Sequence, residues 1–335
     1  MPALGDVVAR ARGLVRHLLP ESALVSLARS SGAGALADAL AREGYPRVSE
    51  EPAQPLSAIE VVEAAIERET ARRLGVIARW LGPRRALFVG VFEEEERRVL
   101  RILLRRVASG TMATGPRPST ALLTSLGRRS REALAGVADV PAFVRVLARA
   151  GSPHAPPLIA ALRAGESRLV DLEAALDRNF TWRAHAAARR AGGDLLAWVE
   201  QSIDLENVWA ALQADDAHFL EGGARLSRDA FETVARKPGG SERRADIARV
   251  FATDPLGEIF ADERVPQAAL EGRSRLVRRR GLERTARRDP LGPAALLELV
   301  MRLREEPARL RRIAWAVAQG VSEAAHAEAW TEVAA

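Results

Sequence analysis

Few side chains in this sequence combine a reactive type with a spacing that chemistry could use. Five histidines, His17, His154, His185, His218 and His326, stand apart and never fall at i, i+4, so no helix presents a ready metal pair. The only lysine, Lys237, follows no glycine-rich turn, and no GxxxxGK[ST] loop exists to cradle phosphates. Gly32-Ala33-Gly34 follows a helical stretch where a dinucleotide loop would need a strand, so it reads as a helix-ending turn. No serine sits in a G-x-S-x-G elbow, and the absence of cysteine excludes thiol catalysis, thiolate metal sites and disulfides. The acidic run Glu93 to Glu96 reads as a helix N-terminal cluster feeding Arg97, Arg98 and Arg101. No catalytic, cofactor or metal residue is expected.

The densest charge is basic. Arg273, Arg275, Arg278, Arg279, Arg280, Arg284, Arg287 and Arg288 crowd one stretch. A solvated helix face is the plainest account. Contact of Arg273, Arg275, Arg278, Arg279 and Arg280 with an acidic partner protein or anionic lipid headgroups comes next. Nucleic acid comes last, because no aromatic platform interleaves with the arginines. The net charge of +6 and a pI near 10.9 carry less weight than they suggest. Arginine has replaced lysine almost completely, as a genome composition bias would produce, and 50 basic residues are interleaved with 44 acids.

The elements that must carry these residues are helical. Ala, Leu and Arg dominate and aromatic residues make up only 4%, a mixture that favours helices. No alternating strand pattern is evident, so the fold class is all-α. A hydrophobic fraction of 47% is ample for a core. The longest compact apolar stretch, Ala86 to Phe92, is far below the roughly 18 residues of a membrane span. The opening residues lack the apolar core of a signal peptide, so a soluble, cytoplasmic protein is expected. The six tryptophans, Trp80, Trp182, Trp198, Trp209, Trp315 and Trp330, are read mainly as core.

Glycine- and proline-rich breaks divide the chain. Gly110 to Pro118 reads as a linker, Asp215 to Ser227 with Gly222-Gly223 as a second boundary, and Lys237 to Ser241 as a tight loop. The expected helical domains are 1–112, 119–216 and 221–335, the last least regular. Their similar lengths suggest an internal repeat. Glu95, Asp204 and Glu306 each precede a polar residue by three positions (Arg98, Asn207, Arg309), and an apolar residue follows at once. Leu205, Val208, Trp209 and Leu212 form one apolar stripe; Leu100, Leu103, Leu104 and Val107 repeat it, as do Leu310, Ile313, Ala314 and Val317, slightly offset. Val62 to Glu67 and Leu172 to Asp177 add a second matched pair upstream. An acid in the first helical turn suits the positive end of the helix, so the six motif residues read as structural markers first and as an interface second.

At these residues the chain resembles the C-type stalk component (d-type in eukaryotes) of archaeal-type and vacuolar-type rotary ATPases. Val8 to Leu14 with His17-Leu18-Leu19 looks like the family's first helix, and Tyr45 stands where its first hairpin usually ends. Ser202 to Val208 is close to its acid-x-x-Asn segment and is the most specific match. Phe219 to Gly223 with Leu226 resembles its Gly-Gly turn. Asp289 to Ala294, followed by Arg304 to Ile313, resembles its final helical pair. The matches fall in the expected order along nearly the whole chain. Arg98 and Arg309 depart from the family's Asn, and Pro307 requires that the last motif helix either begin there or kink.

The resemblance implies a funnel-shaped, non-catalytic piece of the central stalk. It would sit between the central shaft (D- and F-type subunits) and the membrane proteolipid ring, coupling their rotation for ion transport. It would bind no nucleotide, no cofactor and no nucleic acid. A basic helical-repeat adaptor for nucleic acid or an acidic protein is the alternative.

Overall fold

Three short helices followed by two long ones make up the first third of the chain, and the same order recurs twice. The computed structural model describes residues 3–48, 56–111, 120–213 and 218–321. The first group holds α1 (Gly5–Val15), α2 (Glu21–Ala28), α3 (Ala33–Arg42) and the long α4 (Ala58–Leu81). A 3-10 turn (Gly82–Leu87) and the four-residue α5 (Val89–Phe92) then lead into α6 (Glu94–Ala108). The second group is α7 (Arg128–Leu134), α8 (Val140–Arg149) and α9 (Ala155–Arg163), with α10 (Leu169–Ala191) and α11 (Gly193–Gln213). The third is α12 (Arg228–Ala235), α13 (Gly240–Val250) and α14 (Pro255–Ala261), with α15 (Gln267–Arg288) and α16 (Pro293–Ala318). No strand occurs among the described residues, so the chain is all-α. The expected linker lies outside the described residues apart from Gly110 and Thr111.

Local chemistry explains where the helices start. Ser57 and Glu60 form a capping box at α4. Asp139 accepts a hydrogen bond from the Ala142 amide at 2.6 Å, with Pro141 in the first turn of α8. Ser227 and Asp254 cap α12 and α14 in the same manner. Between α10 and α11, Gly192 and Gly193 both take positive φ (71° and 51°), so the two long helices meet at a sharp corner without a loop.

Apolar packing does not follow the linear thirds. The central cluster takes residues from all of them, including Val7, Ile77, Phe88, Ala188, Val199 and Leu296. Three outer clusters share one plan. The C-terminal half of α6 packs with α7–α9 and the start of α10. The C-terminal half of α11 packs with α12–α14 and Leu270 of α15. The C-terminal half of α16 packs with α2, α3 and the start of α4. The last arrangement closes the chain on itself, end to beginning. Each fully buried Leu at these joints contributes about 2 kcal/mol of transfer free energy, so the joints hold by many modest terms.

Candidate functional site: a charged cavity between the long helices

All six long helices converge on a cavity of about 210 Å³ that is open to solvent. Its wall alternates carboxylates (Glu94, Glu95, Glu206, Glu271, Glu305) with arginines (Arg98, Arg275, Arg278, Arg304, Arg311) and holds Trp198 and Trp209. Most of these charges are already paired. Arg98 meets Glu94 at 2.9 Å, Arg304 meets Glu95 at 3.2 Å, and Arg311 meets Glu63 at 3.1 Å. Arg275 pairs with Glu271 one turn away.

Beneath the wall lies Arg97, only 1% exposed. Its guanidinium donates to Asp177 (2.7 Å), Glu94 (3.0 Å) and Glu206 (3.0 Å), and it sits 4.9 Å from the centre of the Phe180 ring. One cation thus joins α6, α10 and α11. Burial alone would raise the Glu94 carboxyl, but Arg97 and Arg98 pull it to about 2. A carboxyl held below its ordinary 4.5 stabilises the fold above that pH and loses the contribution as pH falls. The urea midpoint is therefore expected to drop below about pH 4.5, and Glu94→Gln to flatten that acid limb. An unchanged limb in the variant would count against this assignment.

The expected motif residues meet different surroundings in the three parts of the chain. Asp204 is buried in mid-α11, where it accepts the backbone amides of Ala224, Arg225 and Leu226 at 3.0–3.3 Å. Asn207 spans Leu220 in two bonds, accepting its amide and donating to its carbonyl, both at 2.8 Å. A Cβ on Gly223 would overlap the Asp204 carboxylate, which accounts for the Gly-Gly turn. Glu306 accepts the Leu19 amide, the Tyr45 hydroxyl and Arg73 Nη1, each at 2.5 Å. In the first third the acid that holds a neighbouring segment in this way is Glu96, beside Glu95: it is fully buried and accepts the Ser125 amide at 3.2 Å and the Ser125 hydroxyl. Each carboxylate thereby holds the segment that leads into the next short helices.

Taking Glu96 as the reference removes the offset between the stripes. Counted from Glu96, Asp204 and Glu306, the apolar positions Leu100, Val208 and Leu310 all fall at +4, and Leu103, Ala211 and Ile313 at +7. Those coincidences were the sequence signal for Glu96. Glu95 reaches Arg304, and Arg98 is exposed beside Glu94. Arg309 pairs with Glu21 at 2.6 Å, joining α16 to α2. Asp204 and Glu306 lie well inside their helices, so attraction to the helix N-terminus explains neither; backbone amides from another segment do. Pro307 does not begin a helix either. It lies inside α16, where it frees the Leu303 carbonyl from its usual i+4 bond, and it contributes to the cavity wall.

Around Glu306 the buried network extends through Arg73 to Glu69 (2.6 Å), with Arg73 5.6 Å from the centre of the Tyr45 ring. Burial and the neighbouring Glu306 carboxylate push the Tyr45 hydroxyl far above its ordinary value, so it remains a donor. Tyr45→Phe is expected to cost about 1–2 kcal/mol, read as a lower urea midpoint; an unchanged midpoint would remove Tyr45 from the network's energetics.

The basic stretch divides among several surroundings. Arg278 and Arg275 line the cavity, Arg279 reaches Glu305 of α16 at 3.3 Å, and Arg280 is exposed. Arg273 is partly buried. The exposed arginines Arg280, Arg284, Arg287 and Arg288 recur at helical spacing on α15, apart from the two that line the cavity. Two tryptophans also depart from the core expectation: Trp182 is 70% exposed and Trp315 52%, the latter donating to Glu63 at 3.0 Å. Trp330 and His326 lie outside the described residues. His154 is buried 3.9 Å from Glu93, and burial with Arg183 and Arg97 lowers it to about 4, so it is neutral at pH 7. No helix among the described residues is long and apolar enough to cross a membrane.

The fold is therefore a set of helical joints around a charged cavity. Comparison with known proteins agrees with this class: a profile of the family described as the ATP synthase (C/AC39) subunit matches residues 7–328. The chain belongs to that family, the C/AC39 subunits of V- and A-type ATPases. No curated protein matches the sequence significantly.

Proposed function

We propose that this chain is the non-catalytic coupling piece of the central stalk, seating the end of the rotating shaft in the cavity and passing its rotation to the proteolipid ring. The observation that carries the reading is the convergence of all six long helices on one open, charged cavity in a chain of this family. A part that transmits torque needs helices braced against one another and polar walls that do not collapse. The joints at Glu96, Asp204 and Glu306 and the hub at Arg97 are suited to that. The recurrence of three short and two long helices supports an internal threefold pseudo-repeat, with the 1–112, 119–216 and 221–335 segments as its units. The chain would then work at the cytoplasmic side of the membrane, held there by its partners.

The test uses membrane vesicles of the source carrying the complete ATPase, compared with vesicles stripped of this chain. ATP hydrolysis is expected to persist after stripping while ion pumping is lost, and adding back the purified chain should restore pumping. Pumping that survives complete removal of the chain would rule out the coupling role.

A further inference from the structure

One cation on the cavity wall lacks the partner that all its neighbours have. Among the described residues lining the cavity, Arg98, Arg275, Arg304 and Arg311 each stand within ion-pair distance of a carboxylate, and Arg278 does not. Its guanidinium is held instead by neutral acceptors: Gln201 Oε1 at 3.0 Å, the Trp198 carbonyl at 3.2 Å and Ser202 Oγ at 2.6 Å. It also lies 5.2 Å from the centre of the Trp198 ring. The carboxylates whose charge reaches it, Glu94 and Glu206, are hydrogen-bonded to Arg97. Burial pushes the Arg278 guanidinium down to about 10, the direction expected when a buried positive charge lacks full compensation.

Two further donors line the same cavity unused. The Trp198 indole N–H and the Ser274 hydroxyl make no hydrogen bond, although Trp198 is 8% and Ser274 1% exposed. Ser274 sits one turn before Arg278 on α15, so the two project from the same helical face. Buried donors left unsatisfied are costly, and a fixed cation beside them favours an acceptor with negative charge. A carboxylate supplies both.

We propose that Arg278, with the Ser274 hydroxyl and the Trp198 indole N–H, forms a receiving site for a carboxylate side chain on the polypeptide that enters the cavity. This rests on the cavity being a seat for the shaft, and it names the chemistry the shaft end must carry there. The other wall charges are neutralised within the chain, so an incoming basic or neutral group gains nothing at this position. An acid gains a charge-assisted bond and fixes the angular position of the shaft.

The site is tested on the full-length chain with glutarate as the carboxylate probe, titrated by calorimetry and followed by tryptophan fluorescence. Wild type is expected to bind. Arg278→Gln removes the charge and should abolish the signal. Ser274→Asp places a carboxylate one turn from Arg278, where it pairs internally, so this variant should melt no lower than wild type yet fail to bind. Wild-type and variant titrations that are indistinguishable, or a wild type that does not bind, would overturn the site. A separate measurement with the purified shaft subunits distinguishes the wider reading. There Ser274→Asp should weaken binding roughly 30-fold or more. Unaltered affinity of the variant would overturn the site while leaving the seat intact. Glutarate binding by a wild type that ignores the shaft subunits would support the carboxylate site and sink the seat.

Discussion

Replacing Arg97 with methionine is expected to lower the unfolding free energy by about 4 kcal/mol at pH 7. Methionine matches the aliphatic stem and preserves packing on Phe180, so the loss isolates the charge. Three carboxylates, Glu94, Asp177 and Glu206, would then face one another without the cation that joins them. Glu206 is about one-third exposed and can relax toward water, which keeps the cost at the middle of the range for broken buried pairs. The pH dependence gives the sign. Without Arg97 the Glu94 carboxyl loses the cation that holds it low, and Glu206, already pushed up by burial, rises further, so the folded variant binds more protons than the folded wild type. Its deficit should be greatest at neutral pH and shrink as pH falls toward 4–5. A urea series across pH on both proteins measures this; a deficit independent of pH would mean that lost packing, and not uncompensated charge, is responsible.

The second large effect is expected at Asp204. Asp204→Ala leaves the amides of Ala224, Arg225 and Leu226 without their acceptor and opens a gap beside Gly223, at a cost of about 3 kcal/mol. Asn207→Ala orphans the amide and carbonyl of Leu220, at about 2 kcal/mol. Both residues hold one segment, so the double variant should lose less than the sum of the single losses. Hydrogen exchange locates the effect: protection should fall first in α12 and at the end of α11, and hold in the cluster around α7–α9. Uniform loss of protection along the chain would show that the joint is not an independent unit.

How much of this was legible in the sequence varies with the range of the interaction. Caps such as Asp139 before Val140-Pro141 act over three residues, and the 3.6-residue stripes are written into single helices, so both can be read directly. Asp204 and Asn207 stood out because their partners lie within about 22 positions, across one glycine turn, and this pattern carries the family resemblance. Glu96 was hidden by its neighbours. Four consecutive glutamates offer four registers, and only the Ser125 amide, delivered by the approach of another segment, selects one of them.

The sequence alone determined the helical class, the absence of thiol chemistry, the segments that carry the family match, and the expectation of a non-catalytic role. The tertiary structure decided the rest. It joined Glu306 to Leu19 and Tyr45 across more than 260 positions and closed the chain on itself. It also set Arg97 among three acids from three helices, and left Arg278 without a carboxylate while Arg275 and Arg279 on the same helix found one. The physical reason is common to these cases. A hydrophobic period specifies which face of a helix is buried, whereas the pairing of buried charges depends on which helices meet there, and that is a property of the whole chain.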